Sequence, residues 1–217
     1  MSSINMDYIE EYIRSILPRS SEFLKALEDY AKNYNVPIIH PEVAQFIRVI
    51  MKIKNPKKIL EIGTAIGYSA IVMAEASNEN CEIVTIERRE DMVKLAKENF
   101  KKGGLDNRIK ILHGEAQEIL PNIKDNFDIV FLDAAKGKYM EFLPYCIDNL
   151  NDGGIIISDN ILFKGMVAND DLVIRRKKTI VRRMREYLKY ICDTPILETS
   201  IIPIGDGIAL TIKKDGR

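Results

Sequence analysis

Polar residues stand at the ends of four apolar runs, where an α/β chain gathers its chemistry. The run Ile59–Ile62 carries Glu61 and stops on Gly63, and Gly67 then opens a helix-compatible segment, Tyr68–Ala76. This is a strand, a tight turn and a helix N-terminus, whose free backbone N–H groups face the crevice where such sheets bind ligands. Ala65 occupies the place of the middle glycine of a dinucleotide fingerprint, which weakens a pyrophosphate-bearing cofactor and leaves room for a nucleoside without phosphates. A second run, Glu82–Glu87, ends on an acid that can accept both hydroxyls of a ribose. Asp133 ends a third run, and Asp159 with Asn160 ends a fourth. Two carboxylates and an amide carbonyl are hard oxygen ligands suited to Mg²⁺, Mn²⁺ or Ca²⁺, and the set contains neither Cys nor His for a structural zinc.

Positioning these groups requires strands and helices that alternate with short links, and from Lys58 onward they do. Met92, Leu95, Ala96 and Phe100 mark a helix ending at Gly103 and Gly104, and Arg108–Leu112 reads as a strand. The loop at residues 114–117 then falls at the same sheet edge as Glu87, suited to line an adenine site. Phe127–Leu132 is a central strand, Tyr139–Leu150 a helix and Ile155–Ile157 a further strand. Pro195–Ile202 and Ile208–Ile212, split by the turn PIGDG, form an antiparallel terminal pair. Ahead of the sheet, Tyr8, Ile9, Tyr12, Ile13, Ile16 and Leu17, then Phe23, Leu24, Leu27 and Ala31, recur at helical spacing. A third helix follows Pro41, and His40 reads as an ordinary loop residue.

The chain of 217 residues, 46% hydrophobic, can bury a core as one domain, with 1–54 a helical extension and 55–217 the α/β part. Its 32 basic and 32 acidic residues cancel. The cancellation hides a stripe: Arg175, Lys178, Arg182, Arg185 and Lys189 recur every three or four positions along a helix expected over 172–191, a face that could neutralise phosphates. Cys81, Cys146 and Cys192 match no ligand spacing and read as buried thiols of a reducing compartment. Without a long apolar span or a signal peptide, the expected location is cytoplasmic, and neither membrane nor DNA is an expected partner.

The segments LEIGTAIGYSA, VTIER, FDIVFLDAAKGKY and GGIIISDNILFKG together resemble the metal-dependent O-methyltransferases of the catechol and caffeoyl-coenzyme A type, which use S-adenosylmethionine. The resemblance implies a Rossmann-like class I methyltransferase fold with a doubly wound seven-stranded sheet, and a homodimer. It assigns Asp133, Asp159 and Asn160 to the metal and Lys136 to the catalytic base. Glu61, Gly63 and Ser69 fall on the methionine side of the cofactor, Glu87 on its ribose, Ala116 on its adenine, and Asp133 also near its amino group. Within that type the stretch RKKTIVRRMREYL most resembles the bacterial tRNA 5-hydroxyuridine methyltransferases, which implies an anticodon-loop substrate converted to 5-methoxyuridine. Two other readings stand beside it: methylation of catechols or hydroxycinnamoyl thioesters, and a non-catalytic RNA-binding scaffold.

Overall fold

The computed structural model describes residues 4–216. Three helices come first: α1 (Asp7–Ile16), α2 (Glu22–Tyr34) and α3 (Pro41–Lys54). Ser21 starts α2 by accepting the Leu24 N–H on its hydroxyl, and Pro41 starts α3, where its fixed φ suits the first turn. The alternation then runs β1 (Lys58–Ile62), α4 (Tyr68–Ala76), β2 (Glu82–Glu87), α5 (Glu90–Lys102), β3 (Ile109–His113), α6 (Ala116–Ile119), β4 (Phe127–Leu132), α7 (Tyr139–Asp148), β5 (Leu150–Ser158), α8 (Lys178–Asp193), β6 (Leu197–Ile202) and β7 (Ile208–Lys213).

The strands form one seven-stranded sheet in the order β3-β2-β1-β4-β5-β7-β6. Pairing is parallel from β3 through β5 and antiparallel at β5–β7 and β6–β7, as the sequence implied. Because β1 and β4 are buried on both faces, both are predominantly apolar, with Glu61 the one polar residue of Ile59–Ile62 and Asp128 that of Phe127–Leu132. Apolar clusters cover each face, one gathering α2, α3, α4 and α5 with Ile59, Phe131 and Ile157, the other gathering α7 and α8 with Leu60, Val130 and Ile156. Adjacent strands β1 and β4 carry their connections to opposite ends of the sheet order, so the crevice opens above their carboxyl ends.

Several elements depart from the expected pattern. In α1 the apolar side chains Tyr8, Tyr12 and Ile16 stay exposed while Glu10 is buried, because ion pairs dock this helix: Arg14 binds Glu42 of α3 at 2.7 Å and Glu10 at 3.2 Å. A hydrophobic stripe shows that a face seeks cover and leaves open which element provides it. The strand expected over Ile155–Ile157 runs back to Leu150, with a shift in register opposite Phe127–Ile129. Helix α8 begins at Lys178, six residues later than expected; Asp170–Leu172 and Arg175–Lys177 are separate 3₁₀ turns. Arg175 therefore lies outside the helix that was to display it. Cys192 is exposed, unlike Cys81 and Cys146, because it lies on the outer side of the last turn of α8. Among the described residues no helix is long and apolar enough to cross a membrane.

Candidate active site

Above the carboxyl ends of β1, β2 and β4 lies a cavity of about 680 Å³, lined on one side by Gly63, Ala65, Ser69, Glu87, Gly114 and Ala116 and on the other by Asp133, Lys136, Asn160, Phe163, Lys164 and Asp206. Its floor depends on Gly63. That residue has φ +100°, and a Cβ there would stand 2.1 Å from the Asp133 carbonyl oxygen, so the β1 turn and the end of β4 can meet only over a glycine. Gly67, at φ +87°, caps α4 under the ring of Phe100.

Glu87 reaches the cavity already fixed. One carboxylate oxygen accepts the Ala65 N–H at 3.0 Å and the other accepts the Arg89 N–H at 2.8 Å, which sets the group beside the β1 turn with lone pairs to spare. Gly114 and Ala116 follow on the loop after β3, at the same end of the cavity.

Glu61 stands behind the wall instead of on it. Fully buried, it accepts Ser69 Oγ on one oxygen and Thr64 Oγ1 and Thr85 Oγ1 on the other, each at 2.5 Å. Thr64 and Thr85 also contact each other. Burial pushes the Glu61 carboxyl up to about 7 against the pull of these three hydroxyls. Its contact with the cavity passes through Ser69 and Thr64.

At the opposite end Asp133 continues β4 and Asp159 continues β5. Tyr139, at the start of α7, ties the two strand ends together by donating to the Leu132 carbonyl at 3.1 Å and the Asp159 carbonyl at 2.9 Å. Asp159 is 2% exposed and accepts the Asn160 N–H at 2.6 Å, an arrangement in which Asn160 takes φ +55°. Burial raises both carboxyls, and Asp133 raises Asp159 further, with Lys136 opposing. The Lys136 ammonium donates to Asn160 Oδ1 at 2.9 Å. Two mutually repelling, desolvated carboxylates beside a lone amide oxygen suit a hard divalent cation, which would supply the charge that Lys136 only partly provides. Among the described residues no three His, Cys, Asp or Glu side chains cluster as a metal set, so a cation here would depend on the Asn160 amide as its third protein ligand.

Sequence reasoning missed several lining residues. His40, read as an ordinary loop residue, lines the cavity and receives Arg14 Nη2 on its Nδ1 at 3.4 Å. Asp206, seen only as part of a turn, is buried, lines the cavity and accepts the Lys164 N–H at 2.5 Å, pinning the loop that follows Asn160. Phe163 and Lys164 in that loop have φ +46° and +56°. PIGDG was the one available signal, since an acid between glycines is free to fold back on a neighbouring loop.

The basic stripe does not come to the cavity. Arg182 pairs with Glu186 at 2.6 Å, and Arg185 pairs with Asp170 at 2.7 Å while donating to the carbonyls of Val167 at 2.9 Å and Met166 at 3.2 Å. The Arg185 guanidinium holds the loop before α8, whereas Arg182 is paired within the helix. Lys178 and Lys189 are exposed on α8, and Arg175 precedes it.

A sequence profile described as O-methyltransferase matches residues 15–214. The chain belongs to this O-methyltransferase family. It is 30% identical to the caffeoyl-CoA O-methyltransferase of Medicago sativa over 96% of this chain and 90% of that one. Identity to the catechol O-methyltransferase of Niastella koreensis is 27%, over 99% and 100%. A solved structure from Staphylococcus aureus, whose caffeoyl-CoA O-methyltransferase designation is itself provisional, superposes with a TM-score of 0.89 at 31% identity, over 95% of this chain and all 100% of that one. An O-methyltransferase from Bacillus cereus in complex with SAH superposes at 0.85 with 24% identity, over 95% and 97%, a likeness that speaks for the fold.

This O-methyltransferase is an S-adenosylmethionine-dependent enzyme, which removes the non-catalytic scaffold reading. The assignment to the tRNA 5-hydroxyuridine methyltransferases is corrected by these relatives, whose names are those of caffeoyl-CoA and catechol enzymes. The tRNA anticodon loop falls with it as a partner. Part of the physical reason is in the stripe itself: Arg182 and Arg185, which look like members of a phosphate-binding face in the sequence, are engaged by Glu186, Asp170 and the carbonyls of Val167 and Met166.

Proposed function

We propose that this enzyme transfers a methyl group from S-adenosylmethionine to a hydroxyl of a small aromatic acceptor bearing vicinal hydroxyls, of the catechol or hydroxycinnamoyl-CoA class, with the help of a divalent cation. The observation that carries the reading is the convergence of Asp133, Lys136 and Asn160 on one end of a cavity whose other end presents Glu87 and Ala116, with Asp159 buried behind the lining and bonded to the Asn160 N–H. The names of the near full-length relatives support the acceptor class.

Each side chain then has a task. Glu87, fixed by the Ala65 and Arg89 N–H groups, accepts the ribose hydroxyls; Ala116 and Gly114 lie against the adenine; Gly63 leaves space for the methionine portion. Ser69 holds that portion with Glu61 orienting its hydroxyl from behind. Asp133 serves both the cofactor's amino group and the cation. Asp159 and Asn160 complete the protein ligands, for Mg²⁺ first and for Mn²⁺ or Ca²⁺ by the same oxygen chemistry. When bound, the cation supplies Lewis-acid polarisation of the acceptor oxygen and fixes its orientation. Lys136 takes the hydroxyl proton at its Nζ, which requires that the amine first be neutral; its place beside Asn160 Oδ1 sets it next to that oxygen. Phe163 and Phe142 on the lining supply apolar surface for an aromatic ring.

The test is product identification. Purified enzyme with S-adenosylmethionine and Mg²⁺, offered catechol, caffeate and caffeoyl-CoA, is expected to give a singly O-methylated product from at least one of them by mass analysis. No methylated product from any vicinal-dihydroxy aromatic would overturn the acceptor class.

A further inference from the structure

His40 occupies the N-cap position of α3, yet its side chain makes no capping hydrogen bond. Its Nδ1 instead faces Arg14 Nη2 at 3.4 Å. A guanidinium has no lone pair to offer, so Nδ1 accepts, and in the neutral ring the proton resides on Nε2. That nitrogen has no protein partner among the described residues, while the ring is on the cavity lining. Arg14 is itself held by both oxygens of buried Glu42, at 2.7 Å each, and by Glu10. Three charged side chains from α1 and α3 thus stand behind one imidazole and favour the tautomer with Nε2–H toward the cavity.

The ring's neighbours place it at the acceptor end. A Cβ built on Gly205 would stand 3.6 Å from His40 Cδ2, and the next residue, Asp206, pins Lys164 in the loop following Asn160. Glu87, Gly114 and Ala116 belong to the other end. His40 enters from α3, whereas Asp133, Lys136 and Asn160 enter from β4 and β5, so a ring whose hydroxyls meet the latter group presents a different edge to His40.

We propose that His40 is a specificity-determining residue for the methyl acceptor, its Nε2–H donating a hydrogen bond to an oxygen on the ring substituent, a carboxylate or carbonyl, with Arg14 as its positioning residue. The inference rests on the acceptor class proposed above. It selects among vicinal-dihydroxy aromatics those with an oxygen remote from the reacting pair. His40 is half-buried, and a donor that the bound acceptor covers without pairing is the stronger source of discrimination.

The experiment compares kcat/KM for 3,4-dihydroxybenzoate and 4-methylcatechol, which differ in that oxygen, in wild type, His40→Phe and His40→Gln, with SAH affinity measured by calorimetry in each. Wild type is expected to prefer the benzoate. In His40→Phe the preference should fall roughly 10- to 100-fold. His40→Gln, which retains an N–H donor, should recover most of it, and SAH affinity should hold within about twofold in both. An unchanged preference in His40→Phe overturns the proposal. So does an equal loss on both substrates, or weakened SAH binding, either of which marks a structural role. A wild-type enzyme that methylates neither substrate overturns the proposal before any variant is made, and the acceptor class falls with it only if catechol, caffeate and caffeoyl-CoA are left unmethylated as well.

Discussion

Lys136 and Glu61 show what single residues contribute. With Lys136→Met the aliphatic reach persists but proton acceptance at Nζ is lost, so the single-turnover rate should fall about 10²- to 10⁴-fold at saturating cofactor and acceptor. SAH affinity should barely move, since Lys136 lies at the end opposite Glu87. A wild-type rate across pH would remove Lys136 from the chemistry. Glu61 predicts a stability signature. Burial raises its folded value from 4.5 to about 7, so the folded state holds a proton that the unfolded chain would release. Its contribution is greatest below about 4.5 and declines as pH rises to about 7, where it levels off, a span on the order of 3 kcal/mol. Glu61→Gln, unable to ionise, should lack that decline when melting temperatures are compared with wild type between pH 4.5 and 8. Parallel curves for the two proteins would contradict the assignment. The acids Glu87, Asp133 and Asp159 were legible in the sequence because strand ends announce themselves by an apolar run that stops. Glu61 stood in the same motif, but its place behind the wall depends on hydroxyls from Ser69 and Thr85, which come from different elements.

Among the elements, α1 carries the sharpest expectation. It is joined to α3 by Arg14 and Glu42, a pair in which burial raises the Glu42 carboxyl while the hydrogen bonds and charge of Arg14, together with a backbone hydrogen bond, outweigh it and hold the group below the ordinary range. The stabilisation is therefore full above the ordinary carboxylate range and is lost as pH falls below that range through the lowered folded value. Arg14→Met should weaken the docking by about 2 kcal/mol, between the values for exposed and buried pairs. Amide exchange should then speed up across Asp7–Ile16 with β1 and β4 unaffected; unchanged exchange in α1 would show that other contacts hold it. The sheet was readable nearly strand by strand, since period and punctuation are local properties. Helix α8 was misread at its start because Arg175–Lys177 and Asp170–Leu172 have helical composition but close into 3₁₀ turns, and composition alone does not fix that boundary.

For the molecule as a whole, the doubly wound sheet brings β1, β2, β4 and β5 to one edge, and with them residues spread from Glu61 to Asn160. Residues outside that rule escaped sequence reasoning. His40 arrives from the α2–α3 connector and Asp206 from the β6–β7 turn, and only tertiary packing brings either to the cavity. The basic stripe was an error of the opposite kind, a local pattern mistaken for a global role, since Arg182 and Arg185 are engaged within the chain.

Divalent-metal dependence of methyl transfer tests the account most directly. Enzyme stripped with chelator and then titrated with Mg²⁺ should regain its single-turnover rate on a vicinal-dihydroxy acceptor from a baseline at least about 10²-fold lower, in keeping with the several kcal/mol a Lewis acid supplies. Asp159→Asn should need a much higher Mg²⁺ concentration for the same recovery, with SAH binding preserved. Full turnover in the stripped wild-type enzyme, with no response to added Mg²⁺, would contradict the proposed roles of Asp133, Asp159 and Asn160.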